Sequence, residues 1–160
     1  MSNVDMKIKF DLTKLKNIQE ELKKNYITKV GILGTKNNAR GNSEGTNSFI
    51  GAVHEFGSIT RNIPQRSFLK VPLTDKIPGK LKEIGQNFFD SITKENIRGN
   101  FKNLGIIAEN IVQQAFSTKG FGKWKENIES TIKRKKSASP LIDTGELRKS
   151  ITSKVETKRG

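Results

Sequence analysis

The sequence predicts an α+β domain in which a small sheet packs against two long helices and long polar loops join the elements. Three observations carry this. The segments "MKIKF", "YITKVGILG" and "SITSKV" alternate apolar with polar residues or are rich in β-branched ones, as strands require. Leu81, Ile84, Phe88 and Ile92, and then Leu104, Ile107, Ala108, Ile111 and Ala115, recur at helical spacing. The length, 160 residues, suits one domain.

Each element follows from its residues. Met6, Ile8 and Phe10 alternate with Lys7 and Lys9, so a first short strand is expected. A helix then carries Leu15, Ile18 and Leu22 on one face, with Asp11 as N-cap and lysines near its end, where the helix dipole favours them. "YITKVGILG" returns as a second strand. The polar run "TKNNARGNSEGTNS" has no apolar anchor, which predicts a mobile loop over 35–48. "FIGAVHEFG" forms a short helix capped by Ser48 and stopped by Gly57. Pro64, Pro72 and Pro78 then confine regular structure to the intervals between them. Long helices are expected from Pro78 to about Ile97 and from Phe101 to about Phe116, carrying most of the core. A basic loop and short helix anchored by Trp124 occupy 117–140, and Ile151, Ser153 and Val155 mark a last strand. A flexible tail ends the single domain at 156–160.

Composition narrows the function. Hydrophobic residues make up 32% of the chain, the formal net charge is +14 and the mean hydropathy is -0.61. A small core is expected, with segments that order on partners. There is no cysteine, which excludes disulfides and thiolate zinc sites. "MSNVDMKIKF" lacks the pattern of a signal peptide, and no apolar run nears the ~20 residues of a membrane helix, so synthesis and assembly in the cytoplasm are expected.

Little points to catalysis. His54 is the only histidine and there is no cysteine, so multi-histidine metal sites and a Cys-His pair are both excluded, and packing or hydrogen bonding is its expected role. "GILGTKNNARG" and "GFGKWK" both fail the phosphate-loop pattern. Asp143 and Glu146 fit a helix N-terminus better than a catalytic carboxylate pair. A nuclease or peptidoglycan hydrolase would need convergent acids or a nucleophile that no motif supplies. The chain reads as non-enzymatic, with no cofactor, metal or small-molecule substrate. The charge does invite a second reading, a basic protein that binds nucleic acid without sequence preference, with Lys133, Arg134, Lys135 and Lys136 meeting phosphates or an acidic partner. The plainer reading of that run is a solvated basic face.

Three fragments in order, "VGILG", "AVHEFGS" with "IPQRSFLK", and "STIKRKKSASPLIDTGELRKSITSKV", resemble the bacteriophage virion-morphogenesis family, small neck proteins that complete the tail or join it to the head. The family's run is N-E-F-G-T, I-P-x-R-P-F, a tryptophan or proline-asparagine segment with T-x-x-x-K, and P-L-I-D-T-G-x-L-x-x-S-I. The likeness spans residues 30 to 155; His54 stands where asparagine is common, and Ser67 replaces the second proline. It implies a twisted, mainly antiparallel sheet under long helices, assembling with copies of itself into a ring in the virion neck or tail. The implied neighbours are neck, connector or tail-tube proteins and the packaged DNA, with no membrane. Its motif residues of structural kind are Trp124, Thr131, Leu141, Asp143, Thr144, Gly145, Leu147 and Ser150. His54, Glu55, Phe56, Gly57, Pro64, Arg66 and Phe68 form a candidate docking loop: aromatic anchors, a stiffening proline and a guanidinium fork for a neighbour's carboxylate. The same residues equally fit an internal role, with Phe56 and Phe68 in the core and Arg66 paired to Glu55.

Overall fold

The structure, a computed structural model, describes residues 12–34, 45–90, 94–135, 139–141 and 145–157, without the side chains of 86–90, 94–96 and 134–135. Among these residues the chain is α+β, with six helices and one two-stranded antiparallel sheet. In chain order they are α1 (Thr13–Leu22), β1 (Tyr26–Ile32), α2 (Asn47–Phe56), α3 (Lys70–Asp90), α4 (Lys94–Ser117), α5 (Glu129–Lys135), α6 (Glu146–Lys149) and β2 (Ile151–Thr157).

β1 pairs with β2 from the far end of the chain, Ile32 opposite Ile151 and Tyr26 opposite Thr157. The expected strand at Met6, Ile8 and Phe10, and Asp11 as a cap, lie outside the described residues. Along β1, Tyr26, Thr28, Val30 and Ile32 turn inward while Ile27 and Lys29 are exposed, so one sheet face is covered and the other is wet. The covering element is α4. Thr28 donates its hydroxyl to the Phe101 carbonyl at 2.8 Å. Gly105 lets the strand come close, since a Cβ there would lie 2.5 Å from the Ser153 hydroxyl oxygen. Further along α4, Ala108, Ile111, Val112, Ala115 and Phe116 form a buried stripe. Phe116 stacks tilted on Phe68, with ring centroids 5.2 Å apart, and edge-on to Trp124 at 5.9 Å. Leu141, Leu147 and Ile151 complete this core.

Several expectations need correction. Leu15 and Leu22 of α1 are exposed, and the helix instead buries Glu21. That carboxylate accepts the Tyr26 hydroxyl at 3.1 Å and pairs with Lys24, so ion pairing and hydrogen bonding choose the inward face. The cap of α2 is Thr46, whose hydroxyl accepts from the Phe49 N–H, while Ser48 lies inside the helix. The prolines do not delimit α3. Pro72 falls in its first turn, where no backbone N–H has an intrahelical acceptor, and Pro78 sits inside it at the loss of one hydrogen bond. Ile97 belongs to α4 and is buried, whereas Leu81 on α3 is largely exposed. The core therefore rests on α4, with α3 as a flank. Residues 35–44, Ile92 and 158–160 lie outside the described residues, and Glu156 and Thr157 of the expected tail belong to β2.

Truncating Phe68, fully buried at 0% exposure, should cost about 3–5 kcal/mol as Phe68→Ala, read by urea denaturation. Leu81→Ala should cost below about 1 kcal/mol.

Candidate functional site

The candidate site is built on the hairpin that follows α2. Gly57 ends that helix at φ 76°, and a Cβ there would lie 2.9 Å from the Gln65 nitrogen, so only glycine lets the chain fold back so closely. The returning strand is pinned at two places. Ser58 and Ile63 exchange N–H to carbonyl bonds at 2.9 and 2.8 Å, and the Arg66 N–H donates to the His54 carbonyl at 2.8 Å. Gln65 adds a side-chain bond to the Glu55 carbonyl at 3.1 Å.

Glu55, projecting from the last turn of α2, is buried against the start of α3. One carboxylate oxygen accepts the Ser67 hydroxyl at 2.6 Å and the Lys70 N–H at 2.9 Å; the other accepts the Phe68 and Leu69 N–H groups, both at 2.9 Å. These are amides that a helix N-terminus leaves without intrahelical partners, and the carboxylate meets the positive end of the helix dipole. Ser67 in turn accepts from the Val71 N–H at 3.0 Å. The serine that replaces a proline of the family pattern thus links the carboxylate to the helix.

Arg66 does not pair with Glu55. Its guanidinium turns the other way and donates to the carbonyls of Lys125 at 2.9 Å and Glu126 at 3.1 Å. Burial pushes its pKa below the usual guanidinium range, with Glu126 opposing the shift. The Trp124 indole N–H donates to the Ser67 carbonyl at 3.1 Å. Arg66 and Trp124 therefore clamp the segment after α4 to the segment before α3. Phe68 fills the core behind them.

What these inward residues leave outside includes three large apolar side chains among polar ones. Phe56 is 71% exposed, Ile59 at the hairpin tip 100% and Ile128 70%. They line an open groove of about 1040 Å³ together with His54, Pro64 and Thr131. Of the docking residues read from the sequence, Phe56, Gly57, His54 and Pro64 thus gather at this groove, while Glu55 and Phe68 turn inward and Arg66 reaches it only from its buried floor. Among the structural motif residues, Trp124, Leu141, Leu147 and Ser150 are buried. Gly145 precedes α6 at φ 77°, and Asp143 and Thr144 lie outside the described residues. Glu146 lies in the first turn of α6, whose N-cap position is Gly145 with no side-chain cap hydrogen bond, so the capping expected of Asp143 and Thr144 lies outside the described residues. Lys133 is exposed on α5; the side chains of Arg134 and Lys135, and Lys136 altogether, lie outside the description. Sequence reasoning missed Ser67, Ile59 and Ile128. For Ile59 the signal was present, since "SITRN" sets a single large apolar residue in a polar turn.

Among the described residues no three His, Asp or Glu side chains gather to hold a metal ion, and no helix is long and apolar enough to cross a membrane. No protein-family model, curated protein or solved structure matches the chain.

Removing the carboxylate should leave several buried donors unpaired at once. Glu55→Ala should cost roughly 2–4 kcal/mol in chemical denaturation, and Glu55→Gln less, because one acceptor oxygen remains. Arg66→Lys should lose one of the two carbonyl bonds and lower stability by about 1–2 kcal/mol.

Proposed function

We propose that the protein is a non-enzymatic structural component of a phage virion, acting in the neck to complete the tail or join it to the head by assembling with copies of itself in a ring. The observation that carries the reading is the division of labour within residues 54–68, the segment at the centre of the family resemblance. Glu55, Arg66, Ser67 and Phe68 spend their bonding capacity inside and hold the hairpin in one shape. Phe56 and Ile59, joined by Ile128, are left facing solvent. An apolar edge that is already rigid loses little conformational entropy when it docks. In a ring the same modest contact is repeated around the symmetry axis, and the contacts reinforce one another.

The charge sets a condition on this assembly. Copies that each carry +14 repel one another, and salt screens that repulsion while leaving apolar burial intact. Ring formation is therefore favoured by raised ionic strength or by an acidic neighbour in the virion.

The first test is electron microscopy of lysates from a phage or prophage in which this gene is disrupted. Filled heads and tails should accumulate apart, and intact infectious particles at the parental frequency would refute the neck role. Complementation with Ile59→Asp should fail to restore joined particles, although the purified variant should unfold within about 0.5 kcal/mol of the parent because the side chain it replaces is fully exposed.

A further inference from the structure

The second feature lies at the other end of α4 and does not depend on the assembly reading. Arg98 and Lys102 stand one helical turn apart on that helix. Across from them β2 brings the Ser153 hydroxyl, with Lys154 at the rim, where it pairs with Glu156. Together with Ile106 and Val155 these residues line an open hollow of about 380 Å³ that contains no carboxylate. The close approach allowed by Gly105 is what draws the strand's residues toward the helical pair. A neighbouring cleft, also bordered by Arg98 and Lys154, adds Lys24 and Tyr26 together with the Glu156 carboxylate.

Five cations, Lys24, Lys29, Arg98, Lys102 and Lys154, share this region with three carboxylates, Glu20 beside Lys24, Glu21 and Glu156. Glu21 is taken by Lys24 and the Tyr26 hydroxyl, and Glu156 by Lys29 and Lys154. The hydrogen bond from Lys29, followed by that from Lys154, holds Glu156 below the usual carboxylate range. Arg98 and Lys102 form no ion pair with a described carboxylate. Two cations without a described acidic partner and a hydroxyl donor around one hollow, with Lys154 at its rim shared with Glu156, form a donor set of the kind that phosphate oxygens take from proteins.

We infer that this α4–β2 hollow binds the phosphodiester backbone of duplex DNA without reading its sequence. The Tyr26 hydroxyl, committed to Glu21, holds that ring away from stacking on bases. Affinity then comes from counterion release and falls steeply with salt.

The test is fluorescence anisotropy of a labelled duplex titrated with the full chain over a series of salt concentrations. Three parallel substitutions, Arg98→Gln, Lys102→Gln and Lys154→Gln, are compared with a control of equal charge, Lys14→Gln, Lys16→Gln and Lys82→Gln. All six positions are exposed, and circular dichroism checks that both proteins are folded. The site variant should lower the slope of log affinity against log salt by about 3, about 1 for each cation removed, with the single Lys102→Gln lowering it by about 1. The control should retain most of the slope. Equal losses in the two triple variants would make the charge diffuse and overturn the site. So would failure of the parent to bind duplex, or displacement of the duplex by polyglutamate as readily as by unlabelled duplex of equal charge, which would assign the surface to an acidic protein.

Discussion

Three backbone amides and a hydroxyl converge on the buried carboxylate of Glu55, and the geometry on both sides of it follows from that convergence. A charged group without partners in the interior would cost several kcal/mol; one that answers the unpaired amides of a helix start serves both needs at once. Because Glu55 ends α2 and its donors begin α3, the carboxylate fixes the distance between the two helices. The chain linking them has no choice but to turn back on itself. Gly57 supplies the one backbone conformation that permits it, and Ile59 is carried to the tip.

The core is organised in the same economical way. A chain with 32% hydrophobic residues cannot surround every helix with apolar neighbours. It concentrates Val112, Ala115 and Phe116 at the C-terminal half of α4 and clasps Phe68, Trp124 and Leu147 around them. The Arg66 guanidinium and the Trp124 indole close this cluster through backbone carbonyls, which ties the segment before α3 to the segment after α4 without needing more apolar surface. The N-terminal half of α4 is held to the sheet by different means, the Thr28 hydroxyl bond and the close contact at Gly105.

The two ends of the molecule consequently offer surfaces of opposite character. Near α2 and α5 an apolar edge surrounds the hairpin; near β2 cations outnumber acids. Salt acts in opposite senses on surfaces of these two kinds, weakening a polyanion's binding to cations by restoring counterions and easing contact between like-charged copies by screening.

Much of the fold was legible because periodicity reports which face of an element meets the core. The strand at 26–32, the helix stopped by Gly57, the buried stripe of α4 and the last strand can all be read from residue spacing. The limits of α3 could not, because a proline in a first turn and a proline that breaks a helix look alike until the helix start is known. The candidate site was legible as a cluster but not as an arrangement. Composition marked "HEFGSITRNIPQRSFLK" as unusual and named its anchors, yet only the tertiary structure decided that Arg66 would turn toward Lys125 and Glu126 while Glu55 met the amides of α3. Local sequence determines which groups need partners. Which partners they receive depends on segments dozens of residues away, and here those segments send Phe68 inward and leave Phe56 and Ile59 in water.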